Sequence, residues 1–595
     1  MSPANEEGFM QIARKALPLV FRVSPGLFVF EYAVTVLDAL LLVLTTVALR
    51  GFFEHVTGLA VGSVSFGSTL MSLLLFALLK VLDEAIDGVA NFIGEYYAGK
   101  SNQAMMNELN LKADRLDVVK FEDPEILNQL DQAYRGALNV RGLVHVLMDI
   151  ACLYVPYFVF MGLFLGRAEP LLTLTLLLVF VPVLASHSLR SRYYTRLDDR
   201  AVVLRRKEEH YKDCLTARAF FKETRALGAG AFFLSRYIRA FKGVQELRYR
   251  TELGSQRVAI AANALTLAGY TSILGVLVSL LMRGRITIGS FSAILAATLE
   301  MFAMMTEVLD NRLGELSASL GQIRKYFGFL DLPEQEYGEV HIDEQKDIVL
   351  EEVSFTYPGA ERPALSDISL RIAAGETLAV VGENGSGKTT LARLILGLYR
   401  PDKGRILLGD APLGELASGS TYRNASCVFQ DFQRYQLSLR DNIAISDFAR
   451  LSASSDAEIQ DALAAAGFRA NAQQMAQGLD TLISKEFGGT DLSRGEWQRL
   501  SIARAYYRSH RLIVLDEPTA AIDPFEEDRI YRDFMKLKKN HTAVVITHRL
   551  GAVRLADRVL VLKEGRIVAI GTHDRLLDES RYYRRLWTAQ SKYLQ

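Results

Sequence analysis

Apolar residues are distributed in two ways along this chain. From residue 24 to residue 310 they come in long runs, whereas from 345 to 595 short apolar stretches alternate with polar, helix-like ones. A bilayer core takes roughly 20 apolar residues of helix. Residues 56–79, 170–189 and 259–282 hold no Asp, Glu, Lys or Arg. Three weaker runs complete a set of six predicted spans: 28–49 with Glu31 and Asp38, 143–166 with Asp149, and 286–309 with Glu300 and Glu307. A soluble bundle seldom needs this many long uncharged runs. Ahead of them, residues 9–23 mix apolar positions with Arg14, Lys15 and Arg22, the pattern of a helix lying in a membrane interface. The expected division is an amphipathic lead-in helix over 1–24, a transmembrane domain with cytoplasmic helical extensions over 25–315, a linker over 316–345 and an α/β domain over 346–595.

Basic residues set the orientation. They precede the first span, and they fill the connections between spans two and three and between spans four and five. The other connections are short and nearly free of them. The N-terminus, both long connections and the α/β domain are therefore expected in the cytoplasm, around a multi-pass protein of the cytoplasmic membrane. Each long connection holds a short candidate crossing segment, 119–130 and 215–227, with aromatic anchors among charges. Such a segment suits docking to another domain, or is an ordinary solvated helix end. Basic and acidic residues balance at 68 each, so no charge excess asks for a nucleic-acid partner. Three cysteines without metal spacing read as reduced, buried residues. The first eight residues lack a basic region and give no sign of a cleavable signal peptide.

Candidate chemistry begins at Gly382-Glu383-Asn384-Gly385-Ser386-Gly387-Lys388-Thr389, which follows an apolar run and opens a helical pattern. This is the phosphate-binding loop G-x-x-x-x-G-K-[ST] in its required strand–loop–helix setting. Its backbone amides and the helix N-terminus favour phosphate. Lys388 is placed for the β and γ phosphates and Thr389 for Mg²⁺, with Thr390 next to it. An apolar strand ends in Asp516, placed to hold Mg²⁺, and Glu517, placed to polarise the attacking water. A second strand ends in His548, suited to the γ-phosphate, and a third in Gln430, suited to sensing Mg²⁺ and water. Tyr357 either stacks on adenine or is an exposed strand aromatic. Ser493 and Gly495 open a further helix and make a second anion site, which makes sense if it completes the ATP site of a second chain. Asp523 lies just beyond Glu517 and would connect the two sites.

Together these residues resemble the ATP-binding cassette superfamily. Gly382 to Thr389 match Walker A, residues 512–517 Walker B with its Glu, Gln430 the Q-loop, His548 the switch histidine, Asp523 the D-loop, 492–496 the signature and Tyr357 the A-loop aromatic. Six spans before one cassette resemble a half-size exporter. The resemblance implies an all-α six-helix transmembrane domain followed by an α/β P-loop nucleotide-binding domain, with ATP and Mg²⁺ as cofactors. It also implies two coupling helices, and two such chains working as a dimer within a lipid bilayer. Residues 429–432 and 491–498 further resemble bacterial peptide and bacteriocin exporters, a pattern that multidrug and lipid exporters share in part. No peptidase domain precedes the first span, so leader cleavage by this chain is not expected. Where the family has LSGGQ, this chain has Arg494 and Glu496. Arg494 either crowds the γ-phosphate or points into solvent. Both a homodimer, the favoured reading, and a heterodimer of unequal sites fit it. Asp38, Asp83, Glu84, Asp87, Asp149, Glu300, Glu307 and Asp310 lie in or near the spans. They line an acidic cavity for cationic cargo, or several of them mark span ends in water. The rival readings are an importer on exporter-like spans and an ATP-gated membrane regulator.

Overall fold

A computed structural model of the chain describes residues 9–168, 170, 201, 203–307, 313–335, 346–416, 425–447, 450, 455–469, 474–518, 541–547 and 553–591. It falls into two compact units, one of residues 1–114 and 128–332, the other of 115–127 and 333–595.

The first unit is helical. α1 (Phe9–Val23) buries Ile12, Ala16 and Val20 on one stripe, as its amphipathic pattern requires. α2 (Pro25–Ala60) starts at a proline, whose missing N–H costs nothing at a first helical turn. A turn follows, and α3 (Phe66–Arg115) then runs for 50 residues. The span expected over 56–79 is thus corrected: that uncharged run straddles the turn, because Gly62, Ser63 and Ser65 reverse the chain without a charged residue. α4 (Pro124–Asp149) passes through a π-helical turn, Ile150–Tyr154, into α5 (Val155–Ala168). α6 (Phe221–Ala226) is the short helix of the second crossing segment, and α7 (Gly230–Met282) and α8 (Ile288–Thr306) follow.

Among the described residues four helices are long and apolar enough to cross a membrane: Pro25–Ala60, Pro124–Arg167, Gly230–Met282 and Ile288–Met305. α3 adds the uncharged stretch 66–79, and most of the expected span 170–189 lies outside the described residues. Ala39, Tyr157, Met161, Ile273, Leu277, Ile294 and Met301 pack into one core. Met71, Leu78, Leu163 and Leu267 face outward, an apolar surface suited to lipid rather than water.

α9 (Leu313–Leu330) corrects the expected linker, since residues 316–330 are helix and belong to the first unit. Gly136 explains part of this docking. A Cβ there would lie 2.1 Å from the Gln322 carbonyl, so only glycine lets α4 and α9 approach so closely. Lys15 of α1 pairs with Asp331 just beyond α9 at 2.9 Å.

The second unit is α/β. β1 (Ile348–Phe355) and β2 (Leu365–Ile372) join β4 (Lys403–Leu408) and β5 (Ala411–Pro412) in an antiparallel sheet of order β2-β1-β4-β5. The main sheet runs β10-β9-β3-β8-β7-β6, from β3 (Thr377–Gly382), β6 (Ala425–Val428), β7 (Leu512–Asp516), β8 (Thr542–Ile546), β9 (Arg558–Lys563) and β10 (Arg566–Gly571). All but β10 are parallel, and every residue of β3 is buried, as a strand covered on both faces demands. α10 (Lys388–Ile395) follows β3, while α11 (Asp456–Ala465) packs on α12 (Arg494–Tyr507) ahead of β7. Parallel order gathers the carboxyl ends of β3, β6, β7 and β8 on one edge, where ligands of open α/β sheets bind. Residues 119–127 of the first crossing segment belong to this unit: Asp117 caps a 3₁₀ turn, Val118–Glu122, and Val119 packs against the cassette core.

Candidate functional site

β3 ends at Gly382, and the chain turns through exposed Glu383, Asn384 and Gly385 to Ser386, Gly387 and the start of α10. Gly387 has φ 99°, and a Cβ there would lie 2.6 Å from the Leu365 side chain and 2.8 Å from the Ala364 carbonyl. Only glycine satisfies both limits. Lys388 is buried, and its Nζ donates to the carbonyls of Gly382 and Glu383, each at 3.0 Å. Burial holds this ammonium below its ordinary pKa, with Glu517 and Asp516 opposing the shift. The buried Ser386 hydroxyl has no hydrogen-bond partner among the described residues. A cationic nitrogen resting on loop carbonyls beside an unsatisfied hydroxyl fits a site that takes phosphate oxygens.

β7 delivers the carboxylates. Asp516 is buried, and burial pushes its carboxyl above the usual range, while a hydrogen bond with Thr389 pulls the other way. Glu517 leaves the strand with φ 49°, left-handed for a side chain that seldom adopts it, and its N–H donates to the Ile546 carbonyl at 3.0 Å. That backbone strain aims Glu517 at Gln430 beyond β6, whose Nε2 donates to the Glu517 carboxylate at 3.1 Å. Thr389, Gln430 and Asp516 line one cavity of about 590 Å³. Among the described residues no three His, Cys, Asp or Glu side chains cluster as a metal cage. One carboxylate, a hydroxyl and an amide fit Mg²⁺, which takes few protein ligands and completes its shell with phosphate and water.

Ser493 caps α12 in a reciprocal box. Its hydroxyl accepts from the Glu496 N–H at 3.3 Å, and the Glu496 carboxylate accepts from the Ser493 N–H at 2.7 Å. Glu496 in place of the family's Gln thus keeps the helix start. Arg494 stands exposed at its first position, and Gly495 is half-buried. Tyr357 lies edge-on to Phe355 and Tyr399, and its hydroxyl shares a hydrogen bond with Thr390 at 3.1 Å. His548 and Asp523 lie outside the described residues.

Three residues went unread in the sequence. Arg504 of α12 donates to the carbonyls of Gln433 and Asn442 at 2.9 and 2.8 Å, tying the segment after Gln430 to the signature helix. Arg393 and Tyr399 join Glu122 to Tyr357. None sits in a motif, and only their separation in sequence, collapsed by the fold, brings them together.

Residues 365–520 match the family model for ABC transporter. The chain is 27% identical over 516 residues to the subtilin transport ATP-binding protein of Bacillus subtilis, covering 83% of this chain and 81% of that one. It is 36% identical to the nisin transport ATP-binding protein of Lactococcus lactis over 40% of each chain. It is also 36% identical to the ATP-dependent lipid A-core flippase of Chromobacterium violaceum over 52% of each. A solved structure of a bacterial Atm1-family ABC exporter with ATP bound shares the fold, with TM-score 0.73 and 21% identity over 94% of this chain and 98% of that one.

Proposed function

We propose that this chain, an ATP-binding cassette exporter whose ATPase is coupled to transport across a membrane, works as a homodimer that expels a cationic peptide across the cytoplasmic membrane. The observation that carries the reading is the convergence of Lys388, Thr389, Gln430, Asp516 and Glu517 at the carboxyl edge of one parallel sheet. In this mechanism Lys388 exchanges its loop carbonyls for the β and γ phosphates. Glu517, oriented by Gln430, accepts the proton of the attacking water, and His548 donates to the γ-phosphate. Thr389, Asp516 and Gln430 would hold Mg²⁺, which would supply charge neutralisation at the phosphates. Tyr357 reads adenine, and Asp523 links the two sites. Ser493 and Gly495 of the facing subunit close over the nucleotide, and closure opens the spans outward.

The homodimer is supported by two features of one chain. It keeps the water-polarising Glu517, and its altered signature still starts α12 with a complete cap. The cargo reading is supported by Asp38, a buried carboxylate within a span, since intramembrane charge is retained for function. Similarity to transport proteins for subtilin and nisin supports a peptide.

Inside-out vesicles carrying the purified chain test this. ATP should drive uptake of a cationic peptide, and replacing Asp38 and Glu300 by neutral residues should raise KM for that peptide more than for a neutral one. Equal loss for both rejects the cationic reading, and uptake only into right-side-out vesicles makes the chain an importer.

A further inference from the structure

The first crossing segment and the nucleotide-reading residues of the cassette are joined by one guanidinium. Arg393 Nη1 lies 3.1 Å from Glu122 Oε1, 2.7 Å from the Tyr399 hydroxyl and 3.4 Å from the Tyr357 hydroxyl. That nitrogen carries two hydrogens. Three acceptors therefore compete for two donors, and Tyr357 is the most weakly held. The Tyr399 hydroxyl also donates to Glu122 Oε1, and the Arg393 guanidinium lies over the Tyr399 ring at 5.4 Å. At the far end, the Tyr357 hydroxyl engages Thr390, within the phosphate loop's helix. Phe355 stacks on Tyr399 at 5.2 Å and meets Tyr357 edge-on at the same distance, so the two tyrosines share one aromatic wall. Glu122 and Val118 also line the cavity that holds Thr389, Gln430 and Asp516.

We infer that Arg393 is a positioning residue that couples nucleotide binding at Tyr357 and Thr390 to the grip of the cassette on Glu122. The inference rests on the reading that Tyr357 and Thr390 meet the nucleotide. When nucleotide takes the Thr390 hydroxyl and the Tyr357 ring, Tyr357 releases Arg393, and both hydrogens pass to Tyr399 and Glu122. The crossing segment is then held more tightly in the nucleotide-bound state than in the free one. Linkage makes the effect reciprocal, so holding Glu122 raises affinity for ATP. Lysine cannot replace Arg393, because a single ammonium lacks the planar fork that spans these oxygens.

The experiment uses the full chain in lipid nanodiscs, with steady-state ATPase and equilibrium binding of a non-hydrolysable ATP analogue with Mg²⁺. The wild-type chain must bind the analogue; if it does not, the nucleotide-site reading fails and the relay falls with it. Given wild-type binding, Glu122→Ala and Arg393→Met should each weaken analogue binding and raise KM for ATP about fivefold, the lower end of ordinary coupling. In both, kcat at saturating ATP should stay within about twofold, as expected when binding rather than the chemical step is weakened. The double variant should be no worse than either single one, since both break the same connection. Glu122→Gln, which keeps an acceptor for Tyr399 and loses the charge, should fall between wild type and Glu122→Ala. If Arg393→Met does not fold, that ranking decides. Unchanged KM in Glu122→Ala, or additive losses in the double variant, would overturn the coupling.

Discussion

Asp516 is a carboxylate that the fold buries. Unfolded, it titrates near the ordinary 3.8; in the native molecule burial raises that value. The sign follows from linkage: its contribution to stability is present at low pH and is lost as pH rises through the native pKa. Above that point the free protein carries a buried negative charge that Thr389, Arg393 and Lys388 relieve only in part. Asp516→Asn should therefore raise the unfolding temperature of the nucleotide-free chain at pH 7.5 by a few degrees, on the order of 1 kcal/mol. The gain should shrink as pH is lowered towards 4, and Mg²⁺-dependent ATPase should disappear. Differential scanning fluorimetry over that pH range checks it, and a variant less stable than wild type at pH 7.5 would sink the argument. Residues such as this were legible in the sequence because phosphate chemistry requires fixed types at fixed spacing. The cap formed by Ser493 and Glu496 was legible too, as the S-x-x-E pattern of a capping box, once Glu496 is read as a helix-starting residue rather than a departure. Arg393 was not, because a lone arginine on a short helix looks like any other.

Among elements, α2 and α4 meet at charges rather than at apolar side chains alone. Arg141 donates to the Glu31 carboxylate at 2.6 Å and to the Gly94 carbonyl at 3.3 Å, with both charged side chains buried. Its guanidinium also lies 5.4 Å from the Tyr97 ring centre, and His145 stands between Glu31 and Asp149 at 3.5 and 3.3 Å. A buried pair adds little over apolar packing, but one partner left alone is costly. Arg141→Met should thus lose about 3 to 5 kcal/mol by stranding Glu31. Adding Glu31→Leu should recover most of that loss, as removing both charges also removes the penalty. Thermal unfolding of the detergent-solubilised chain reads the difference, and a double variant as unstable as the single would show that the cluster does something other than neutralise charge. Hydropathy placed Glu31 inside an expected span but gave no hint of Arg141 as its partner, because pairing across helices leaves no local pattern. The same limit explains the turn after α2 and the helix over 316–330. An uncharged turn reads as membrane, and a helix docked through a glycine contact reads as linker.

At the level of the whole molecule, the role proposed for Ser493 and Gly495 requires a second chain that supplies the phosphates. Ser493 caps its own helix, while Lys388 and Glu517 gather at the sheet edge of the same unit. If two identical chains sandwich two nucleotides, a subunit without its water-polarising carboxylate should poison the wild-type subunit beside it. Glu517→Gln keeps size and hydrogen bonding and removes the base, so it should bind ATP and hold the pair closed. Wild-type and Glu517→Gln chains co-purified from cells making both at equal level would form mixed pairs at random in a symmetric dimer. If both sites must fire for each cycle, ATPase per chain should fall to about one quarter of wild type, the share of pairs with two intact subunits. Independent sites would leave about one half. A value near one half, with Ser493→Ala in one chain having no effect on hydrolysis in the other, would break the link between dimer closure and turnover. A value near one quarter, with cargo uptake falling in step, ties fuel use to passage through the paired helical units.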